Sequence, residues 1–204
     1  MTEVQIVTIQ PEHAAPLRRL QLICFPNIPP DELYSEKELL EVCEVFPDGT
    51  FVALAGETVV GLGSGVYTDF DPEHPQHTLL EIFARGHNPA SLWYYGLDIS
   101  VHPDYRGYGI GRRLYDARKA VVQRDNKRGI VAGGLVPGFA RHKQSMSLEE
   151  YVAKVSAGEL YDPTLTFQLR NGFEVRGILE NYASLKVSDR RATLIIWENP
   201  KYIP

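Results

Sequence analysis

The sequence predicts an α/β (α+β) chain: a central, mixed, twisted sheet of about seven strands flanked by helices, with a helical insertion between the fifth strand and the next helix. Three observations carry this. Segments of period-two alternation recur along the chain between segments with apolar residues three and four apart. A strand, turn, helix and strand follow one another from Leu92 to Val136, and such a crossover implies a parallel pair, whereas Gly56-Glu57 joins two β-rich runs as an antiparallel hairpin. Two Ser-x-x-Glu capping boxes, Ser35/Glu38 and Ser147/Glu150, mark helix starts, the second inside the insertion.

Taken in order, Val4 to Ile9 alternates as a strand, and Pro11 opens a helix whose apolar residues are Leu17, Leu20 and Ile23. After the Pro-rich break at 26–30, Ser35 and Glu38 start a second helix with Leu39, Leu40, Val42, Cys43 and Phe46 on one face. Thr50–Ala55 and Thr58–Thr68 form the hairpin, the second strand thinned by Gly61, Gly63 and Gly65. Asp69–Pro89 reads as a long loop with one helical turn at Leu79–Phe83. Leu92–Val101 is a strand, Gly109 to about Asp125 a helix, and Gly129–Val136 a strand. A helix from Ser147 to Gly158 and another over Pro163–Arg170, closed by Gly172, precede the strands Phe173–Leu179 and Ala192–Trp197. With no repeat, linker or low-complexity tract, the 204 residues read as one domain, 1–204.

A 44% hydrophobic, 23% charged composition excludes disorder and fibrous architectures. A formal net charge of -5 disfavours a general grip on nucleic acid. Two cysteines, Cys24 and Cys43, without CxxC spacing, read as free thiols in a reducing compartment. No apolar run approaches the ~20 residues a membrane span needs, and the start lacks signal-peptide character, so the expectation is a cytoplasmic protein without membrane contact.

The chemistry is concentrated at Leu97-Asp98-Ile99-Ser100-Val101-His102-Pro103-Asp104-Tyr105-Arg106-Gly107-Tyr108-Gly109-Ile110-Gly111-Arg112-Arg113, a strand passing through three spaced glycines into a helix. A helix start presents unpaired N–H groups and a partial positive charge, and glycines let an anion approach them, so the ligand class is a phosphate or pyrophosphate. The dinucleotide fingerprint would need Gly where Arg112 stands, and the Gly-Lys-Ser/Thr of a Walker loop is absent. Arg112 and Arg113 oppose the helix dipole at about 0.3–1 kcal/mol each when exposed, a penalty that a bound polyanion reverses. The alternative is a solvated basic face with Arg112 and Asp116 paired at i,i+4.

Arg106-x-x-Gly109-x-Gly111, preceded by Val101-x-Pro103, resembles the coenzyme A motif of the GNAT N-acetyltransferase superfamily. The element order is also similar to that fold, and Phe167-Gln168-Leu169-Arg170-Asn171-Gly172-Phe173 before a strand resembles its later helix-to-strand signature. Asp98–Gly107, Gly129–Gly134 and Phe167–Phe173 further resemble GNAT modules that are sometimes fused ahead of nitrilase-type amidohydrolases. No such domain is expected from these residues, and the likeness assigns no substrate.

The resemblance implies an acyl-CoA-dependent N-acetyltransferase that moves the acetyl group of acetyl-CoA to a primary amine of a small molecule by direct attack in a ternary complex. It implies that backbone amides of Arg106, Gly107, Tyr108, Gly109, Ile110, Gly111 and Arg112 hold the pyrophosphate, that the backbone of Ile99, Ser100 and Val101 pairs with the pantetheine arm, and that Phe167 lies at the cofactor. The oligomeric state is open, a homodimer being one option.

For the base, alternation sets Asp98 opposite Leu97, Ile99 and Val101 on the strand that meets the cofactor, which makes it the first candidate; a structural carboxylate holding an Arg or an N–H is the alternative. Glu81, in the loop expected to wall the acceptor side, is second. The family often places Tyr, as acid for the departing thiolate, where this chain has Gln168, and its Asn-x-x-Ala helix start is replaced by Tyr161-Asp162-Pro163-Thr164. Tyr161 is therefore the candidate acid, with Tyr182 or water as alternatives. This departure keeps open a second class: a catalytically weak or inactive CoA-binding module acting as a sensor or partner of another enzyme.

His74, His77 and His87 share the long loop with Asp69 and Asp71, but their spacing fits no standard zinc motif, and no metal is expected. The insertion 137–160, with Arg141, His142 and Lys143, reads either as a cover for the acceptor pocket or as a surface excursion.

Overall fold

Seven strands hydrogen-bond in the order β1-β2-β3-β4-β5-β7-β6 in the computed structural model, which describes residues 3–26, 28–183 and 189–204. β4 and β5 pair in parallel, whereas β1–β2, β2–β3, β5–β7 and β6–β7 pair antiparallel, so the sheet is mixed, as the crossover and hairpin required. The elements are β1 (Val4–Thr8), α1 (Ala14–Cys24), α2 (Glu36–Val45), β2 (Phe51–Ala55), β3 (Thr58–Thr68), α3 (Leu79–Arg85), β4 (Trp93–Val101), α4 (Ile110–Arg124), β5 (Gly129–Gly134), α5 (Leu148–Ser156), α6 (Leu165–Arg170), β6 (Glu174–Leu179) and β7 (Ala192–Glu198). Contacts group them into two units, Met1–Val66 with Gly96–Asn126, and Tyr67–Tyr95 with Lys127–Pro204.

In the first unit, β1 pairs with β2 from Val4↔Ala55 to Thr8↔Phe51, and the hairpin turns at Gly56, whose φ of 62° suits glycine. α2 begins at a complete capping box: Glu38 N–H donates to Ser35 Oγ at 3.2 Å, and Ser35 N–H donates to Glu38 Oε2 at 2.7 Å. Ile9, Ala14, Leu17, Leu20, Leu39, Val52 and Leu62 form the core beneath α1 and α2. Ile23 departs from the expected stripe. It is 47% exposed, and Gln21 is buried in its stead, because the face that meets the sheet runs through positions 14, 17, 20 and 21.

Strand thinning by glycine has a packing cause. A Cβ at Gly61 would lie 3.2 Å from the Ser100 carbonyl oxygen and 3.3 Å from Leu114 Cδ1, so its absence lets α4 approach β3 closely. α4 presents Ile110, Leu114, Tyr115, Arg118, Val121 and Val122 as its buried face.

In the second unit, β4 pairs with β5 in parallel over Trp93–Tyr95, and β7 lies antiparallel to both β5 and β6. The expected single turn in the long loop is a seven-residue helix, α3, capped by Thr78 and Glu81. Ser147 caps α5 by accepting from Glu150 N–H at 3.1 Å. α6 starts two residues after the expected Pro163, because Asp162 Oδ1 takes the N–H groups of Thr164 and Leu165, both at 2.9 Å. Asp162 Oδ2 also accepts from Gly138 N–H and the Tyr151 hydroxyl, tying the insertion to the start of α6 around a wholly buried carboxylate.

Candidate active site

β4 delivers the chain to the site through a turn in which Asp104 N–H donates to His102 Nδ1 at 3.3 Å. Arg106 then folds back, its Nε donating to the Val101 carbonyl at 3.0 Å. Gly107 and Gly109 have φ of 84° and 77°, and a Cβ at either would meet nothing within 4 Å, so backbone handedness, not crowding, demands glycine. Gly109 is the N-cap of α4 and supplies no side-chain cap. The first helical bond runs from Arg113 N–H to the Gly109 carbonyl, so the N–H groups of Ile110, Gly111 and Arg112 precede the helical ladder, as a phosphate cradle requires.

The two arginines after the glycines have different roles. Arg112 is exposed, with Asp116 Oδ2 at 3.9 Å. Arg113 Nη1 donates to the Val4 carbonyl at 2.7 Å, so it clamps α4 to β1 instead of facing an anion.

Asp98 sits half-buried on β4, its carboxylate accepting from Gln21 Nε2 of α1 and from Ser100 Oγ at 3.5 Å. Burial pushes its carboxyl up to about 6, outweighing the Gln21 bond, the positive charge of Arg118 and the Ser100 bond, all of which favour the carboxylate. A carboxylate that titrates near 6 and is ionised at neutral pH has the range of a general base. The carboxylate is held as the structural reading of Asp98 expected, by Gln21 and Ser100. Ser100 is buried with its hydroxyl turned to Asp98, so only its backbone is available to an added strand. Ile99 and Val101 are half-buried, and both lie beyond the part of β4 that β5 pairs.

Nearby, Tyr34 Oη lies 3.3 Å from Ser64 Oγ, and Cys24, at the end of α1, has its thiol pushed up by burial while Arg106 pulls it down. Sequence reasoning missed Gln21, Tyr34, Ser64 and Arg118. The signal for Gln21 and Arg118 was present: each is a polar residue at a position that helical periodicity assigns to the apolar face.

The other candidates fall in the second unit. Glu81 is exposed and closes the α3 capping box, with Thr78 N–H donating to its Oε2 at 2.6 Å. That bond, with the one from the Thr78 hydroxyl, holds its carboxyl below the usual range, which weakens it as a base. Tyr161 is 66% exposed and makes no described contact that would aim its hydroxyl, while Asp162 beside it is wholly buried. Tyr182 is buried against Tyr95, their hydroxyls 3.1 Å apart, and Tyr95 meets His77 Nε2 at 2.7 Å. Burial pushes the Tyr182 phenol up to about 12, a poor donor to a thiolate. Phe167 is half-buried on α6, and Gln168 is buried over Gly134, its Oε1 lacking a partner among the described residues.

His74 pairs with Asp71 at the surface, His77 is in the Tyr95 network and His87 Nδ1 accepts from Tyr67 N–H at 3.2 Å. Among the described residues no cluster of three metal-ligating side chains occurs, and no helix is long and apolar enough to cross a membrane.

A seven-stranded mixed sheet in which one strand feeds through left-handed glycines into an uncapped helix start is a fold of the acetyltransferase type. The chain belongs to the acetyltransferase (GNAT) family, whose sequence model matches residues 14–134. It is 32% identical over 188 residues to the uncharacterized N-acetyltransferase YkwB of Bacillus subtilis (strain 168), covering 90% of this chain and 83% of YkwB. It is 38% identical over 194 residues to the probable hydrolase YhcX of the same organism, covering 91% of this chain but only 36% of YhcX, about a third of that protein's length. Among solved structures it is similar to the GphF GNAT-like decarboxylase in complex with isobutyryl-CoA, with a TM-score of 0.81 at 22% identity over 96% of this chain and 99% of that one.

Proposed function

We propose that the protein transfers the acetyl group of acetyl-CoA to a primary amine of a small molecule by direct attack. The observation that carries the reading is the coexistence, on one continuous segment, of Asp98 with its carboxyl near 6 and the glycine cradle at the start of α4. The cradle fits a pyrophosphate: Gly107 and Gly109 leave open space where side chains would stand, and the N–H groups of Ile110, Gly111 and Arg112 lead the helix. Exposed Arg112 adds positive charge at its mouth. The backbone of residues 99–101 is the edge available to the pantetheine arm. When bound, acetyl-CoA supplies the acetyl group as a thioester.

Asp98, directly or through one water, takes the proton of the incoming ammonium so that a neutral amine attacks. Gln21 and Ser100 fix its carboxylate by hydrogen bonds, so little reorganisation is needed at the moment of proton transfer. A thiol leaving group with a pKa near ~8.5 needs little acid help, and water can supply it, consistent with Tyr161 being exposed and Tyr182 a poor donor. Incubation with acetyl-CoA and a panel of small amines, following free thiol, tests the reading. Amine-dependent release supports it, and silence across chemically diverse amines sinks it.

Gln168, at the position where the family often has Tyr, favours a second reading: a CoA-binding module that does not transfer to amines and works beside another enzyme. The decarboxylase name of GphF belongs to that protein, but it supports asking whether this fold here does something with acyl-CoA other than amine transfer. Acetyl-CoA binding without amine turnover would select this reading.

A further inference from the structure

We propose that Arg118 is the positioning residue of this site, a buried cation of α4 that fixes the β4 backbone at Asp98 and serves as the counter-charge of its carboxylate. The proposal rests on the reading of Asp98 as the base. Arg118 lies in the middle of the apolar face of α4, between Leu114 and Val121–Val122, and is only 2% exposed. A cation in such a place survives only if acceptors and opposite charge are arranged around it.

The acceptors are main-chain oxygens of two strands. Arg118 Nη2 donates to the Ser64 carbonyl of β3 at 2.7 Å and to the Asp98 carbonyl of β4. The guanidinium carbon stands 5.6 Å from the centre of the Tyr115 ring on its own helix. Gly63 makes room: a Cβ there would come within 3.3 Å of Arg118 Nε. Arg118 thus pegs two strands at the residue whose side chain does the chemistry.

The opposite charge is Asp98 itself. From α1 it faces Gln21, which donates to it, and Cys24, whose thiol feels its negative charge; Arg106 reaches Cys24 from the glycine loop. Ser100 of β4 and the N–H of Ile99 complete the donors. Arg118 supplies the positive charge acting on this carboxylate, and burial strengthens that action because little water lies between to screen it.

The test uses the full chain and NMR titration, with the Asp98 carboxyl carbon assigned by its loss in Asp98→Asn. In the unaltered protein the Arg118 guanidinium resonances are expected to shift with the same midpoint as the Asp98 carboxyl; Arg118 resonances that stay flat through that titration overturn the proposal. In Arg118→Met, with far-UV and near-UV circular dichroism confirming the fold, the Asp98 midpoint is expected to rise by about one unit or more. The acid limb of kcat/KM should move with it, and Arg118→Lys should restore most of the midpoint. An unchanged midpoint in folded Arg118→Met overturns the idea. If Arg118→Met does not fold, the titration of the unaltered protein decides alone. Failure of the base reading is seen separately: Asp98→Asn that keeps full acetyl transfer removes Asp98 as base, while the coupling between the two titrations still stands or falls on its own.

Discussion

Gln21 Nε2 of α1 donates to the carboxylate of Asp98 on β4, across 77 positions of sequence. The bond joins α1 to the strand that carries the proposed base. Replacing Gln21 with Leu keeps its size and burial but leaves the carboxylate one donor short. The Asp98 midpoint should then move upward from about 6, carrying the acid limb of kcat/KM with it; a pH–rate profile checks this.

Asp98→Asn should reduce kcat by about 10²–10⁴-fold, the range typical of a lost general base, and remove the acid limb of the profile near 6. In the unaltered protein activity should rise as pH passes upward through that value, because the carboxylate is the active form.

The same residue has a stability signature of defined sign. Its folded midpoint, about 6, lies above the ordinary value of 3.8, so the native state binds more protons and stability falls as pH rises from about 4 to about 6. The difference between the two values corresponds to on the order of 3 kcal/mol above pH 6. Asp98→Asn should therefore raise Tm at pH 7 and leave it nearly unchanged at pH 4, as calorimetric scans at the two pH values will show.

Gly109→Val forces a β-branched residue into a φ of 77°, at a cost of about 1–2 kcal/mol or more, and puts methyl groups where an anion would approach. Acetyl-CoA binding should disappear in titration calorimetry while the circular dichroism stays native. Retained affinity would place the pyrophosphate elsewhere.

Glu81→Gln keeps the capping box of α3 and should leave kcat unchanged, whereas Glu81→Ala removes the box and should lower Tm slightly without altering the pH profile. Tyr161→Phe should be silent in both assays, since its hydroxyl is at the surface. A large loss of kcat in either Glu81→Gln or Tyr161→Phe would return that residue to the chemistry.

Much of the glycine loop was legible because its physics is local. The φ values of Gly107 and Gly109 and the missing cap of α4 concern neighbouring residues, so spacing alone pointed to them. Asp98 was legible for a similar reason, since alternation along β4 sets its face. Its partners were legible only in part: Gln21 and Arg118 stand at positions of the apolar helical faces, but which groups they meet follows only from where those helices pack on the sheet. Glu81 shows the converse case. Thr78 and Glu81 spell a capping box in the sequence, yet Glu81 was weighed as a base because the long loop obscured the helix that it caps.

The sequence by itself determined the order of elements, the glycine turn into α4 and the strand face that carries Asp98, because each depends on contacts within a few residues. Tertiary structure alone decided that Asp98 titrates near 6, that Arg113 clamps β1, and that Arg118 is buried under two strands. Desolvation and charge pairing depend on which groups surround an atom in space, and here those groups come from α1, β3, β4 and α4, segments that no local pattern brings together.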